Sequence, residues 1–170
     1  MNEPILYTDR LTLRPMSVTD ADAAYEWCSS PDVNRFMTYP LMTDKAVVAE
    51  WLRQITTRPG YLFGIEVTQT AHLIGSCSIR ESENGEWTFG YNIVPASWGK
   101  GYATEAMRRV IAFVHDDLGG KRFTAHHATA NPASGRVLVK CGLHPVSTGE
   151  YSRQDGSETF PAIYYKMTLA

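Results

Sequence analysis

The chain has 170 residues, a formal net charge of −2, 44% hydrophobic and 20% charged residues. That length supports one sizeable hydrophobic core and not two, and the composition is that of a soluble globular protein rather than a disordered or fibrous one. The near-neutral charge excludes a protein that binds nucleic acid by neutralising many phosphates, and no apolar run approaches the roughly 20 residues that span a bilayer.

Arg10-Leu11-Thr12-Leu13-Arg14 alternates polar and apolar residues as a half-buried strand does, and Pro15 ends it. Ser17 or Thr19 can cap a helix carrying Ala21, Ala24, Tyr25 and Cys28, and Thr43 a second carrying Ala46, Val47, Trp51 and Ile55. Ser30-Pro31-Asp32 and Tyr39-Pro40 read as turns. Phe36, Met37 and Tyr39 are apolar for a loop, which suits either the wall of a substrate cleft or packing on the core.

After Pro59-Gly60 come three strands, Tyr61 to Val67, Leu73 to Arg80 and Glu86 to Val94, with Asn84-Gly85 predicting a two-residue type I′ hairpin. Ala103, Ala106, Met107, Val110, Ile111 and Val114 then mark one buried face of a long helix that Gly119-Gly120 stops. A strand from Arg122 to about Thr129 follows, and Asn131-Pro132 announces a short helix ending at Gly142. Two strands, about Pro145 to Tyr151 and Thr159 to Thr168, finish the chain. The expected order is β-α-α-β-β-β-α-β-α-β-β, an α/β fold with a mixed, mostly antiparallel sheet of six to seven strands and helices on both faces, in one domain over residues 1–170.

Asn2, Glu3 and Asp9 make the N-terminus unlike a secretory leader, so the expected location is cytoplasmic. Cys28, Cys77 and Cys141 are far apart and odd in number, which predicts buried thiols rather than disulfides.

Trp98-Gly99-Lys100-Gly101 joins a strand directly to the long helix. Unpaired amides and the positive end of the helix dipole converge at such a junction, which makes it a site for a phosphate. The spacing fits neither a P-loop nor a dinucleotide fingerprint.

Trp98-Gly99-Lys100-Gly101-Tyr102-Ala103-Thr104-Glu105-Ala106 resembles motif A of the GCN5-related N-acetyltransferase superfamily, in the version of enzymes related to the ribosomal-protein N-terminal acetyltransferases (RimJ/RimL-like). Trp98 stands where glutamine or arginine is commoner. Thr8-Asp9-Arg10-Leu11-Thr12-Leu13-Arg14-Pro15 and Gly90-Tyr91-Asn92-Ile93-Val94-Pro95 are similar to the subfamily's first and fourth strands. Asn131-Pro132-Ala133-Ser134 with Val137 to Leu143 resembles motif B, with Leu143 in place of phenylalanine.

The resemblance implies an acetyl-CoA-dependent N-acetyltransferase in which a primary amine, either a protein N-terminus or a small molecule such as a polyamine, amino acid or aminoglycoside, attacks the thioester directly. It implies that Ile93 and Val94 pair with pantetheine, that Trp98, Gly99, Lys100, Gly101, Tyr102, Ala103 and Thr104 surround the pyrophosphate, and that Asn131 touches the cofactor while also standing at a helix N-cap. Ser134 is the implied partner of the departing thiolate, or else a hydroxyl bonded locally at a helix start. Glu86, Glu66, Glu81 or a water chain are open as the base. His126 and His127 alternate in direction along a strand and so cannot easily share a metal ion; no metal is expected. The competing expectation is a binding module that holds acyl-CoA without turnover, and the oligomeric state is monomer or homodimer.

Overall fold

The computed structural model describes residues 4–170; Asn2 and Glu3, part of the reading of the N-terminus, lie outside the described residues. In chain order the strands are β1 (Leu6–Tyr7), β2 (Leu11–Pro15), β3 (Tyr61–Val67), β4 (His72–Glu81), β5 (Glu86–Ile93), β6 (Arg122–Ala128), β7 (His144–Ser152) and β8 (Thr159–Thr168). The helices are α1 (Ala21–Cys28), α2 (Pro31–Asn34), α3 (Lys45–Ile55), α4 (Tyr102–Leu118) and α5 (Pro132–Lys140). All eight strands form one sheet in the order β1-β2-β3-β4-β5-β6-β8-β7. Among the described residues no helix is long and apolar enough to cross a membrane.

Every pairing is antiparallel except β5 with β6, which is parallel and covers only Glu86↔Arg122, Trp87↔Phe123 and Thr88↔Thr124. Beyond that point β5 stays on β4 as far as Ile93, opposite Gly75, while β6 stays on β8 as far as Ala128, opposite Ala162. Each strand is thus held by its outer neighbour and the two part in the middle of the sheet.

Side chains alternate across a strand, so the register Phe63↔Cys77↔Tyr91 defines one face of the sheet and Leu62↔Ser78↔Gly90 the other. Phe113 of α4 meets Tyr61 and Phe63 edge-on, with centroids 5.1 and 6.2 Å away, which places α4 on the first face. α1 packs on β4 and α3, and Trp51 and Ile55 of α3 border the same cavity as Ser78 and Arg80, on the second face. Trp27, Phe63, Phe123 and Met107 are among the largest fully buried side chains of the core.

The structure corrects several details of the sequence reading. β1, a two-residue strand, makes eight strands instead of six to seven, and Ser30-Pro31-Asp32 starts a helical turn, because Ser30 caps it and proline suits a first helical position. Asp44, not Thr43, caps α3 by accepting from the Ala46 amide. Gly85 alone has positive φ in the β4–β5 turn, so Asn84-Gly85 is not type I′. The bonds Gly85 N–H to Ser82 C=O and Ser82 N–H to Glu86 C=O instead describe a three-residue loop closed by a glycine bulge. Cys28 and Cys77 are buried, with burial pushing the Cys28 thiol up to about 12, whereas Cys141 is half-buried.

Candidate active site

Where β5 and β6 part, a cavity of about 890 Å³ opens through the sheet. Its border includes Ile93, Trp98, Gly99, Gly101, Asn131 and Ser134 from the α4 and α5 side, and Phe36, Trp51, Arg80, Gly90, His126 and Tyr151 from the other. A ligand threaded through the gap therefore touches both faces of the sheet.

The glycines of the turn before α4 are required by backbone conformation: φ is +73° at Gly99 and +82° at Gly101, the left-handed region that side chains disfavour. Among protein atoms, a Cβ on Gly101 would meet only Arg10 Nη2, at 3.4 Å. The first helical bond of α4 runs from Glu105 N–H to Gly101 C=O, 3.1 Å. The amides of Tyr102, Ala103 and Thr104 precede it, and Gly101 offers no capping side chain. A row of donors at the positive end of a 17-residue helix is left for an anion.

Arg10 fixes this turn from outside. Its Nη1 donates to Lys100 C=O (2.9 Å), its Nη2 and Nε reach Glu105 Oε2 (2.6 and 2.7 Å), and its guanidinium lies 4.5 Å over the Tyr102 ring. Glu105 Oε1 also accepts from Thr8 Oγ1 (2.6 Å). Burial works against the Glu105 carboxylate, but the bonds from Thr8 and Arg10 outweigh it and hold its pKa below the ordinary value. The opening Thr8-x-Arg10 is therefore a brace for the turn, a role hidden from sequence by the 95 residues between Arg10 and Glu105. Because Arg10 is half-exposed, its ion pair adds little to stability. Arg10→Ala is expected to lower CoA affinity about tenfold and hardly move the melting temperature, measured by calorimetry and thermal denaturation.

Trp98 lies at the turn's entrance and its indole N–H donates to Ile93 C=O at 2.6 Å. Val94 N–H goes to Ile74 C=O (2.8 Å) and Val94 C=O accepts from Ser97 N–H (3.0 Å). Antiparallel bonding alternates along β5, so the Ile93 amide points away from β4, into the gap. Val94 has no main-chain donor left for a ligand. Lys100 is exposed and contributes its carbonyl to the Arg10 brace.

Asn131 stands at the N-cap of α5 without making a capping bond, and its side chain, at the cavity, bonds to no other described residue. The Ser134 hydroxyl makes no local bond among the described residues, although its amide donates to Asn131 C=O (3.2 Å). Ser134 Oγ lies 3.2 Å from Tyr91 Oη across the gap. Burial pushes the Tyr91 hydroxyl up to about 12 despite the bond to Ser134, so it keeps its proton at neutral pH. Tyr91 was missed in the sequence, where it reads as one more aromatic strand residue.

The acidic candidates for a base are paired with a cation or lie away from the cavity lining. Glu86 sits at the closed end of the gap, where Lys166 Nζ pairs with it at 2.6 Å and holds its pKa down. Glu66 pairs with Arg14 (3.0 Å), and neither Glu66 nor Glu81 borders the cavity. The two histidines face opposite ways, as alternation requires: His127 is buried against Gly135 and Tyr165, with Nδ1 2.7 Å from Ala128 C=O, while His126 packs at a tilt against the rings of Tyr151 and Tyr164. Among the described residues no three His, Cys, Asp or Glu side chains cluster as metal ligands.

The apolar loop at Phe36 to Tyr39 does border the cavity. Arg153 of the β7–β8 turn holds it, donating to Asn34 Oδ1 (2.9 Å), Met37 C=O (3.1 Å), Tyr39 C=O (3.2 Å) and Arg35 C=O (3.1 Å). Tyr151 Oη adds a bond to Phe36 C=O (2.6 Å).

Residues 10–144 match the family model described as acetyltransferase (GNAT) domain. The uncharacterized N-acetyltransferase p20 of Bacillus licheniformis is 32% identical over 139 residues, 78% of each chain. A GNAT-family acetyltransferase structure from Bacillus anthracis superposes with a TM-score of 0.87 at 20% identity, covering 97% of this chain and 98% of the other. The ribosomal alpha-N-protein acetyltransferase RimL, in its complex with coenzyme A, gives 0.83 at 14% identity over 98% of each chain. With a parted sheet and a donor-lined turn of the kind an acyl-CoA needs, this chain belongs to the GNAT acetyltransferase family and uses acetyl-CoA as its acyl donor.

Proposed function

We propose that acetyl-CoA enters from the face that carries α4 and α5, and that a primary amine, a peptide or protein N-terminus or a small molecule, meets its thioester from the face that carries α3. The supporting observation is the gap between β5 and β6, flanked by the turn amides at one end and open to both faces. The amides of Gly99 to Thr104 hold the pyrophosphate, Trp98 steadies the turn's approach, and Lys100 adds charge at its surface. The Ile93 amide faces pantetheine and the thioester oxygen, Val94 shapes the strand end, and Asn131 offers its side-chain amide to the pantetheine arm.

Ser134 and Tyr91 donate hydrogen bonds to the leaving sulfur. A thiol ionises near 8.5, well below the Tyr91 hydroxyl, so these groups stabilise the thiolate without losing their own protons. The amine attacks the carbonyl carbon, the new C–N bond forms, and the C–S bond breaks.

The lining also bears on the acceptor. Among the described residues Asp32 is the one carboxylate bordering the cavity, against Arg35, Arg58 and Arg80 at the acceptor side. A polycation such as a polyamine or aminoglycoside finds little complementary charge there. A peptide N-terminus followed by an acidic residue, or an amino acid with its own carboxylate, fits better.

Calorimetry with CoA and an acceptor comparison test this reading. Gly101→Val forces a branched side chain into left-handed backbone and is expected to weaken CoA binding by tenfold or more, with the far-ultraviolet dichroism of α4 unchanged. Unaltered affinity would refute the placement of the pyrophosphate. In acetyl transfer, an N-terminal peptide with an acidic second residue is expected to outpace spermidine, and the reverse order would refute the acceptor class.

A further inference from the structure

The amine that attacks a thioester must first shed a proton, and none of the carboxylates considered above is placed to take it. On the acceptor face, Thr88↔Thr124 is the last pair that joins β5 to β6. Two residues farther on, still on the same face, come Gly90 and His126, now separated by the open gap. A Cβ on Gly90 would meet nothing within 4 Å, so the space in front of it is empty of protein. His126 borders that space from β6.

The imidazole is held without being bonded. Tyr151 and Tyr164 flank it, with ring centroids at 4.7 and 5.1 Å. Their hydroxyls are committed elsewhere, Tyr151 to Phe36 C=O at 2.6 Å and Tyr164 to Glu150 C=O at 2.9 Å. Neither ring nitrogen of His126 has a hydrogen-bond partner among the described residues, and neither is sealed from solvent. An imidazole packed against two aromatic rings, lining the cavity with neither nitrogen bonded within the described residues, has the arrangement a proton acceptor requires.

We propose that His126 is the general base that takes a proton from the acceptor ammonium. The ammonium gives one proton to an unprotonated nitrogen of His126, which passes it to solvent, and the free amine attacks. The second nitrogen-borne proton is lost as the amide forms and ends on the sulfur released from the C–S bond. Base and leaving-group donors then stand on opposite faces, His126 with the acceptor and Ser134 with Tyr91 beside the cofactor, and the acyl carbon passes between them.

The electrostatics agree. Burial lowers the His126 pKa from 6.5 and the neighbouring His127 lowers it further, so the ring is neutral and basic at pH 7. The groups facing it are Tyr151 of β7, whose hydroxyl is pushed up to about 12 by burial, and Tyr164 of β8, with Thr88 and Gly90 of β5 across the gap. The charged residues of the acceptor-side lining are Arg35, Arg58, Arg80 and Asp32. A lowered pKa keeps the base active above its own titration and disables it as pH falls through that point.

This inference rests on the amine-acceptor reading above, and its test separates the two. His126→Phe preserves a stacking ring between the tyrosines but has no nitrogen; His126→Gly leaves room for added imidazole. Transfer from acetyl-CoA would be followed as thiol release, with the best acceptor from a set of N-terminal peptides and simple primary amines, and CoA affinity would be measured by calorimetry. Expected are a 10²- to 10³-fold loss of turnover in His126→Phe, CoA affinity within about twofold of wild type, and partial rescue of His126→Gly by imidazole. The ratio of wild-type to His126→Phe rates should shrink towards one as pH falls through a value below 6.5, the value that the His126 ring carbon resonance should show when the free protein is titrated.

Turnover in His126→Phe within threefold of wild type, with CoA still bound, would overturn the base and leave the amine reading standing. A rate loss matched by lost CoA affinity, or no rescue by imidazole, would also overturn it. Transfer to a hydroxyl or thiol acceptor in preference to every amine would instead overturn the amine reading.

Discussion

Tyr91→Phe and Ser134→Ala combined are expected to lower the acetyl-transfer rate by about 10³-fold, while each alone lowers it about tenfold. The two oxygens are 3.2 Å apart and approach the same point from β5 and α5. Either hydroxyl can turn towards the leaving sulfur when the other is removed, so the single changes understate the pair and the double change exposes it. Neither residue belongs to the pyrophosphate turn, so CoA affinity should stay within a few-fold of wild type. Rate constants for the four proteins, measured at saturating acetyl-CoA, complete the cycle. Strict additivity of the two single effects would show that the hydroxyls act independently, and an unaltered rate in the double variant would remove both from the mechanism.

Gly135→Val is expected to destabilise the protein by about 3 kcal/mol and to lower its melting temperature by roughly 6–12 °C. Gly135 is buried in α5, one residue after Ser134, where exchanging glycine for valine gains only about 0.3 kcal/mol of helix propensity. Against that gain, the new Cβ would lie 2.5 Å from His127 Nε2 and 3.1 Å from Tyr165 Oη. His127 cannot step aside. It is buried, its Nδ1 is tied to Ala128 C=O, and its Nε2 is 3.2 Å from Tyr165 Oη. The helix must lift off β6 instead, and Ser134 moves away from Tyr91 with it. A parallel loss of turnover beyond the loss of folded protein would mark that displacement; a melting temperature within 2 °C of wild type would contradict the close packing of α5 on the sheet.

The same contact shows why part of the site could be read from the sequence and part could not. The glycine turn before α4 is a local device. Two glycines at positive φ and the first amides of one helix lie within residues 99–104 and follow from chain order alone. Asn131 and Ser134 were legible for a related reason, since they occupy fixed places at the start of a helix that Pro132 announces. Arg10 with Glu105, Tyr91 with Ser134, and Arg153 with the loop at Phe36 to Tyr39 are pairs separated by 95, 43 and more than 110 residues. No periodicity marks them, because each residue alone is an ordinary strand, turn or surface residue.

By itself the sequence determined the alternation of strands and helices, the donor turn before α4, and the family to which its three motifs point, because hydrophobic period, glycine conformation and helix capping act over a few residues at a time. Tertiary structure alone decided that β5 and β6 separate after Thr88 and Thr124, that Glu86 is consumed by Lys166 at the closed end, and that His126 lies on the face of Gly90 while His127 packs against Gly135 of α5. Those outcomes depend on which strands become neighbours and in what register. A shift of one residue in pairing exchanges the two faces of a strand, and with them the buried histidine and the one at the gap.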